Sequence, residues 1–223
     1  MTPEPVERGV RIAVGEASLA GDLAVPTGAP GVVLFAHGSG SSRLSSRNRY
    51  VAGELRARGM GTLLMDLLTA EEEQADAHTG HLRFDIGLLA ERLLAATRWL
   101  RAEAETSRLP VGYFGASTGG GAALVAAAEA PQEVVAVVSR GGRPDLAGAA
   151  LPLVEAPTLL IVGGRDGPVI AMNRDAFGQL RCEKKMEIVA GATHLFEEPG
   201  TLEQVARLAG DWFARHLGGK GNG

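Results

Sequence analysis

Residues 111–124 read VGYFGASTGGGAAL: an apolar run gives way to glycine and other small residues, then resumes as an alanine-rich stretch. Residues 111–115 predict a strand buried on both faces, and the segment from Ser117 to about residue 130 predicts a helix. Between them, Gly115-Ala116-Ser117-Thr118-Gly119 fits the G-x-S-x-G pattern of a nucleophile elbow. The turn that joins strand to helix is too sharp to leave room for side chains on either side of the central serine, so small residues flank it. Ser117 then projects from the strand end beside a helix N-terminus, whose partial positive charge favours a developing oxyanion.

The same alternation continues on both sides of this segment. Residues 9–14 and 19–25 predict an opening strand pair. GVVLFA at 31–36 predicts a strand buried on both faces, followed by the small-residue loop HGSGSS. A helix at 47–58 closed by Gly59, a strand at 61–65, a long loop at 66–82 and an amphipathic helix at 83–104 come next. Beyond residue 130, strands at 134–138, 157–162 and 185–189 alternate with helices near 168–180 and 201–217. This order specifies an α/β protein, a mostly parallel twisted sheet with helices on both faces. Right-handed crossovers bring the strand C-termini to one edge, where ligands bind in open sheets. No repeat or linker divides the body, so 1–217 predicts a single domain and 218–223 a disordered tail. Only about 18 residues separate the 134–138 and 157–162 strands, too few for a separate cap domain. The expected pocket is therefore shallow and open.

Composition removes several classes of function. Of 223 residues, 45% are hydrophobic and 22% charged, as in an ordinary globular protein, and the net charge of −4 argues against nucleic-acid binding. The single cysteine, Cys182, excludes an intrachain disulfide and lies far in sequence from the elbow. MTPEPVERGV has no apolar core of a signal peptide, and no apolar run approaches the roughly 20 residues that cross a bilayer. The expected address is the cytoplasm, and no membrane partner is expected. Neither a GxGxxG nor a GxxxxGK[ST] string occurs. Oligomeric state is left open.

A serine hydroxyl needs a base to take its proton, and the base needs an orienting carboxylate. In an elbow-bearing sheet these follow the serine in the order acid, then histidine, on loops after later strands. Asp166, in LLIVGGRDGPV, follows the 157–162 strand, and His194, in MEIVAGATHLF, follows the 185–189 strand. Asp166 has a competing reading as the N-cap of the helix opened by Gly167-Pro168, with Asp145 as substitute acid. His194 has a competing reading as a surface loop histidine. The loop His37-Gly38-Ser39-Gly40 nominates the backbone amides of Ser39 and Thr118 as oxyanion donors, with His37 as a brace. Loop 66–82 has the length of a lid or binding loop, which makes His78 and His81 candidate substrate contacts. Arg140 and Arg143, past another strand end, are candidates for an anionic substrate group, each with a salt bridge as its alternative. Asp76, His78, His81 and Asp85 form a weak metal pattern, and no metal is expected.

The motifs LAGDLAVP, FAHGSGSS, GASTG, GGRDGPV and GATHLF resemble the dienelactone hydrolase-like branch of the α/β-hydrolase superfamily, from about Gly9 to Leu217. The resemblance implies an α/β-hydrolase fold and an acyl-enzyme hydrolase that needs neither metal nor organic cofactor. Ser117, Asp166 and His194 match the family's triad. One departure stands out: dienelactone hydrolase itself uses a cysteine nucleophile, and here the elbow carries Ser117. A small or medium carboxylic ester or lactone is therefore the expected substrate. The stretch ADAHTGHLRFDI (75–86) also resembles hydrolase domains that sit beside phosphoribosyltransferases in some bacterial proteins. The rival readings are an acyltransferase, thioesterase or amidase on the same triad, and a catalytically silent receptor or partner domain.

Overall fold

Alternate side chains of a strand face opposite sides of its sheet. In the strand Val32–Ala36, Val32, Leu34 and Ala36 enter one apolar core, while Val33 and Phe35 enter another. A strand with two cores must be covered on both faces. The computed structural model, which describes residues 6–218, shows how that cover is arranged.

The chain runs β1 (Arg8–Val14), β2 (Ala17–Ala24), β3 (Val32–Ala36), α1 (Ser46–Ala57), β4 (Gly61–Met65), α2 (Ala70–Thr79) and α3 (Ile86–Ala102). It continues through β5 (Val111–Ala116), α4 (Thr118–Glu129), β6 (Val134–Arg140), β7 (Thr158–Gly163), α5 (Gly167–Gln179), β8 (Lys184–Val189) and α6 (Thr201–Leu217). The strands form one sheet in the order β1-β2-β4-β3-β5-β6-β7-β8. The β1–β2 hairpin and the β2–β4 pair are antiparallel, and every pair from β4 to β8 is parallel. Helices α3, α4 and α5 contribute to one core, and α1 and α6 to the other. Lys184, Lys185 and Glu187 place charge along the edge strand β8, which discourages pairing with another chain. Among the described residues no helix is long and apolar enough to cross a membrane.

The expected elements are present, with shifts of a few residues at their ends, but the long loop is not a loop. Residues 70–79 form α2. Thr69 caps it by accepting from the Glu72 amide at 3.1 Å, and Glu72 returns the bond to the Thr69 amide at 2.8 Å. Gly80, at φ 67°, closes its C-terminus. Asp76, whose side chain is fully covered, accepts from the Leu82 amide at 2.6 Å and from Arg83 Nε at 2.5 Å, tying α2 to the turn at 82–84. The high polarity of 66–82 conceals a helix that is polar on nearly every side and is held by its caps and ion pairs. Between β6 and β7, residues 144–153 make 3₁₀ turns broken at Gly148 and packed on α4 and α5, with no cap domain. Of the expected tail, residues 219–223 lie outside the described residues.

Among the described glycines, the closest approach to another segment's backbone is made at Gly119, where α4 meets the end of β3. A Cβ on Gly119 would overlap the carbonyl oxygen of Ala36 and lie 2.6 Å from that of His37, both rigid backbone atoms. Gly119→Ala is therefore expected to cost at least about 1–3 kcal/mol, lowering Tm by roughly 2–4 °C per kcal/mol. Gly178, exposed near the end of α5 with nothing within 4 Å of the place a Cβ would take, serves as the contrast. Gly178→Ala is expected to raise stability by up to about 1 kcal/mol. Equal Tm values for the two variants in thermal denaturation would contradict this account.

Candidate active site

Ser117 sits where β5 turns into α4, with φ 51° and ψ −121°. A non-glycine residue in this region is strained and persists only where its surroundings over-determine it. Here they do. The Ser117 amide donates to the Arg140 carbonyl (3.3 Å), and the Ser117 carbonyl accepts from the amides of Gly120 and Arg143, each at 3.0 Å. A Cβ on Gly115 would overlap the Gly119 carbonyl, and one on Gly38 would lie 3.0 Å from the Ser117 Cβ. Gly115 and Gly119, the two glycines of the motif, are thus each required by a close backbone approach.

His194 and Asp166 come together. His194 Nδ1 lies 2.6 Å from Asp166 Oδ2, with the carboxylate largely covered and the imidazole about a third exposed. Asp166 occupies the N-cap position of α5, yet its side chain makes no capping bond. It is turned to the histidine instead. Asp145, the alternative acid, is held by Arg143 through contacts of 2.9, 3.2 and 2.7 Å. The loop that carries His194 crosses the end of β7 because Gly163 has no side chain: a Cβ there would meet the carbonyls of Thr193 (2.5 Å) and Ala192 (2.6 Å). Ser117 Oγ makes no hydrogen bond to His194 in this arrangement, but both residues line one cavity of about 250 Å³. Catalytic hydrogen bonds are often slack before substrate binds.

The loop after β3 is braced by His37. Burial holds the imidazole below its usual pKa, which keeps it neutral. Its Nε2 accepts from the Leu67 amide at 3.0 Å, which leaves Nδ1 to donate to the Gly38 carbonyl at 2.9 Å. Arg43 fixes the far end of the loop, its amide donating to Asp66 Oδ1 at 2.8 Å and its guanidinium pairing with Asp66 and Asp22. Ser39 and Thr118 are adjacent, as the oxyanion reading requires. However, the Ser39 amide donates to Thr118 Oγ1 at 2.9 Å. The threonine hydroxyl offers an acceptor at the place where a substrate oxygen is expected. Thr118 itself opens α4, where helix amides have no carbonyl partner four residues back.

The remaining candidates separate. His78 and His81 are exposed and line neither cavity at the elbow. Among the described residues, no cluster of three or more His, Cys, Asp or Glu could hold a metal. Arg143 is occupied by Asp145. Arg140 is buried and lines the Ser117–His194 cavity together with Arg47 and Asn48, two residues that the sequence reading passed over. The sequence offers only the cap of α1, where Ser45 accepts from the Asn48 amide (3.4 Å), and not the cavity wall that this turn forms. A second cavity, of about 360 Å³, lies across the His37–Ser41 loop against Leu67, Leu68 and Leu89.

A strand order with the elbow after the fifth strand, and acid and histidine after the seventh and eighth, defines the α/β-hydrolase fold. Comparison with known proteins narrows the class. The model of the dienelactone hydrolase family matches residues 19–216, and the chain belongs to that family. A dienelactone hydrolase from Anabaena variabilis superimposes with a TM-score of 0.94 at 64% identity, covering 96% of this chain and 99% of that one. The esterase Pf2001 of Pyrococcus furiosus, 18% identical, shares the fold with a TM-score of 0.78 over 96% of this chain and 94% of its own. A Mycobacterium tuberculosis H37Rv protein that bears a provisional phosphoribosyl transferase name is 59% identical over 212 residues. The match takes in 95% of this chain but 47% of that relative, so the chain spans about half the relative's length.

The His37 brace carries a pH dependence. Its folded pKa lies below the unfolded value of about 6.5, so on acidification the unfolded chain takes up a proton before the folded one does. Stability therefore falls as pH drops through about 6.5. His216, also lowered by burial, adds a slope of the same sign. His37→Gln retains an acceptor for the Leu67 amide but cannot titrate. Tm measured between pH 5 and pH 8 is expected to vary less steeply in this variant than in the wild type. Identical slopes would remove His37 from the account.

Proposed function

We propose that this family member hydrolyses a small or medium carboxylic ester or lactone through an acyl-enzyme on Ser117. The observation that carries the reading is the 2.6 Å contact of His194 Nδ1 with an Asp166 carboxylate turned away from its own helix, in a residue pair whose histidine shares a cavity with Ser117. An aspartate in that position selects the imidazole tautomer whose Nε2 is free to accept a proton, and it stabilises the cation that results.

In the first step the Ser117 Oγ bonds to the carbonyl carbon as His194 Nε2 takes its proton. The carbonyl oxygen, now an oxyanion, is met by the amides of Ser39 and Thr118, the former released when the Thr118 side chain rotates. Collapse expels the alkoxide, which receives the proton from His194. Water then gives a proton to His194 and adds to the acyl carbon, and the acid leaves as Ser117 recovers its hydrogen. Every group in this scheme belongs to the chain, so the reading calls for no cofactor or metal, and its partner is a small molecule in the cytoplasm. The mycobacterial relative carries a phosphoribosyl transferase name, and this chain matches 47% of its length. The hydrolase family match to residues 19–216 favours hydrolysis for this half.

A fluorophosphonate probe tests the serine directly. Wild-type protein is expected to label at Ser117, and both Ser117→Ala and His194→Ala to lose the label. Asp166→Asn is expected to retain the fold but lose roughly 1,000- to 10,000-fold in kcat on a short-chain aryl ester. A folded wild type that neither labels nor turns over esters or lactones would return the chain to the receptor or partner reading. Acceptor-dependent products would instead point to an acyltransferase.

A further inference from the structure

Three segments must agree for Ser117, His194 and Asp166 to act on one carbonyl carbon: the turn after β5, the loop after β8 and the head of α5. Residues 140–143, where β6 ends, touch all three. The Arg140 carbonyl accepts from the Ser117 amide at 3.3 Å, and the Arg143 amide donates to the Ser117 carbonyl at 3.0 Å. Gly141, at φ 52°, donates from its amide to the Ile161 carbonyl of β7 at 2.7 Å. A Cβ on Gly141 would lie 3.2 Å from the His194 carbonyl oxygen. The Gly142 carbonyl is held by a side chain of α5: Asn173 Nδ2 donates to it at 3.0 Å.

Asn173 occupies a position where packing alone would take an apolar side chain. It is fully buried, between Val169 and Ala176 on the covered face of α5. Its Nδ2 also donates to the Val169 carbonyl at 2.8 Å, but its Oδ1 is buried without a hydrogen-bond partner among the described residues. Buried polar atoms in that condition are costly, and a leucine, branched at the same atom, would carry none. What the amide supplies in return is a direct bond between the helix that begins at Asp166 and the loop that grips Ser117. The other side of that loop is closed by α4, where a Cβ on Gly120 would lie 3.1 Å from the Gly142 Cα. Gly142 is thus held between the helix of the serine and the helix of the acid.

Asp166 is fixed on its strand side, where its amide donates to the Gly163 carbonyl at 3.0 Å. Its side chain makes no capping bond to α5, so the direction of the carboxylate follows the placement of the helix that continues from it. Asn173 lies about two turns along that helix. We propose that Asn173 is a positioning residue for the reaction: by pinning the Gly142 carbonyl to α5, it sets the distance between Ser117 and the His194–Asp166 pair. The proposal rests on the serine-hydrolase reading above. Asn173 does not line the cavity that holds Ser117, so it acts through other groups and not on the substrate. Displacing a reacting group by about 1 Å is enough to cost roughly 100-fold in rate, which makes a single buried bond between these two elements consequential.

Variants of the purified full chain separate position from stability. Asn173→Leu removes the donor together with the unpaired oxygen, and Asn173→Asp keeps the shape but sets a carboxylate oxygen against the Gly142 carbonyl. Leu180→Ala, at the C-terminal end of α5 and in the apolar core, loosens the helix without touching the link. On 4-nitrophenyl acetate, measured well below each Tm, both Asn173 variants are expected to lose about 10- to 100-fold in kcat with KM nearly unchanged. Their Tm values are expected to diverge, that of Asn173→Asp falling further. Leu180→Ala is expected to lower Tm and keep kcat. Either Asn173 variant, folded and with the wild-type kcat, overturns the proposal, and so does a loss of kcat in Leu180→Ala as large as theirs. A second readout does not need turnover. The proton that His194 Nδ1 donates to Asp166 across 2.6 Å gives a low-field NMR resonance, assigned by its loss in Asp166→Asn. It is expected to shift in Asn173→Leu and to stay in place in Leu180→Ala. A wild type that turns over no ester but shows this shift keeps the Asn173 link and loses the hydrolase. An active wild type whose kcat and resonance are both unchanged in Asn173→Leu keeps the hydrolase and loses the positioning role.

Discussion

The carbonyl oxygens of Ala36 and His37 come within van der Waals overlap of any side chain placed at Gly119. Most of the site follows from that approach. It presses the start of α4 against the end of β3 and makes the chain turn at Ser117 in a conformation that serine adopts only under constraint. The same closeness brings Ser39 and Thr118 together from opposite elements, near enough for the Ser39 amide to donate to the Thr118 hydroxyl. A looser junction would relax Ser117 and separate these two residues together. Gly38 and Gly115 serve the same junction, since a methyl on either would press on the Ser117 side chain or the α4 backbone.

Around this rigid point, carboxylates are divided between holding the frame and serving the histidine. Asp66, Asp22, Asp76 and Asp145 are all engaged by arginines of neighbouring segments. Asp166 is reserved for an imidazole, and it gives up the capping bond that its place at the head of α5 would allow. That division settles which of two plausible acids is available: Asp145 is tied into the turn after β6, and Asp166 reaches the loop after β8. The Phe196 ring against which the Arg140 guanidinium lies belongs to a residue with φ 56°, two positions beyond His194. The guanidinium therefore borders both the cavity and the strained turn that follows His194.

The sequence made the sheet legible because strands buried on both faces leave continuous apolar runs, and the loops at their C-terminal ends carry Ser117, Asp166 and His194 in a fixed order. The family followed from the same motifs, since GASTG, GGRDGPV and GATHLF are set by backbone approaches that exclude larger residues at Gly115, Gly119 and Gly163. Helix α2 was not legible from periodicity, because it buries almost nothing. Its evidence was local, in Thr69, Glu72 and Gly80, and was outweighed by the polarity of the stretch. The role of Asp76 was hidden for a related reason: its partners, Leu82 and Arg83, are reached only once the chain has turned at Gly80. Arg47 and Asn48 were invisible because a helix N-terminus shows its cap in sequence but not the wall it faces. That depends on the crossover that lays α1 beside the end of β6.

The loop His37–Ser41 divides two cavities of different character. On the α2 side, Leu67, Leu68 and Leu89 give an apolar lining, with Asp76 and Arg83 already satisfied by each other. On the α1 side, two guanidiniums and a helix N-terminus surround the serine and the histidine. The Ser39–Thr118 contact lies at the boundary, since Ser39 lines both spaces and Thr118 lines the apolar one. A wall this thin is stable because His37 uses both ring nitrogens to hold it, one toward Gly38 within the loop and one toward Leu67 beyond β4. The polarity of each side is then set by elements far apart in sequence, α2 on one side and α1 with the end of β6 on the other. Either side can change its lining without disturbing the turn between them, as expected of variable loops set on a rigid scaffold.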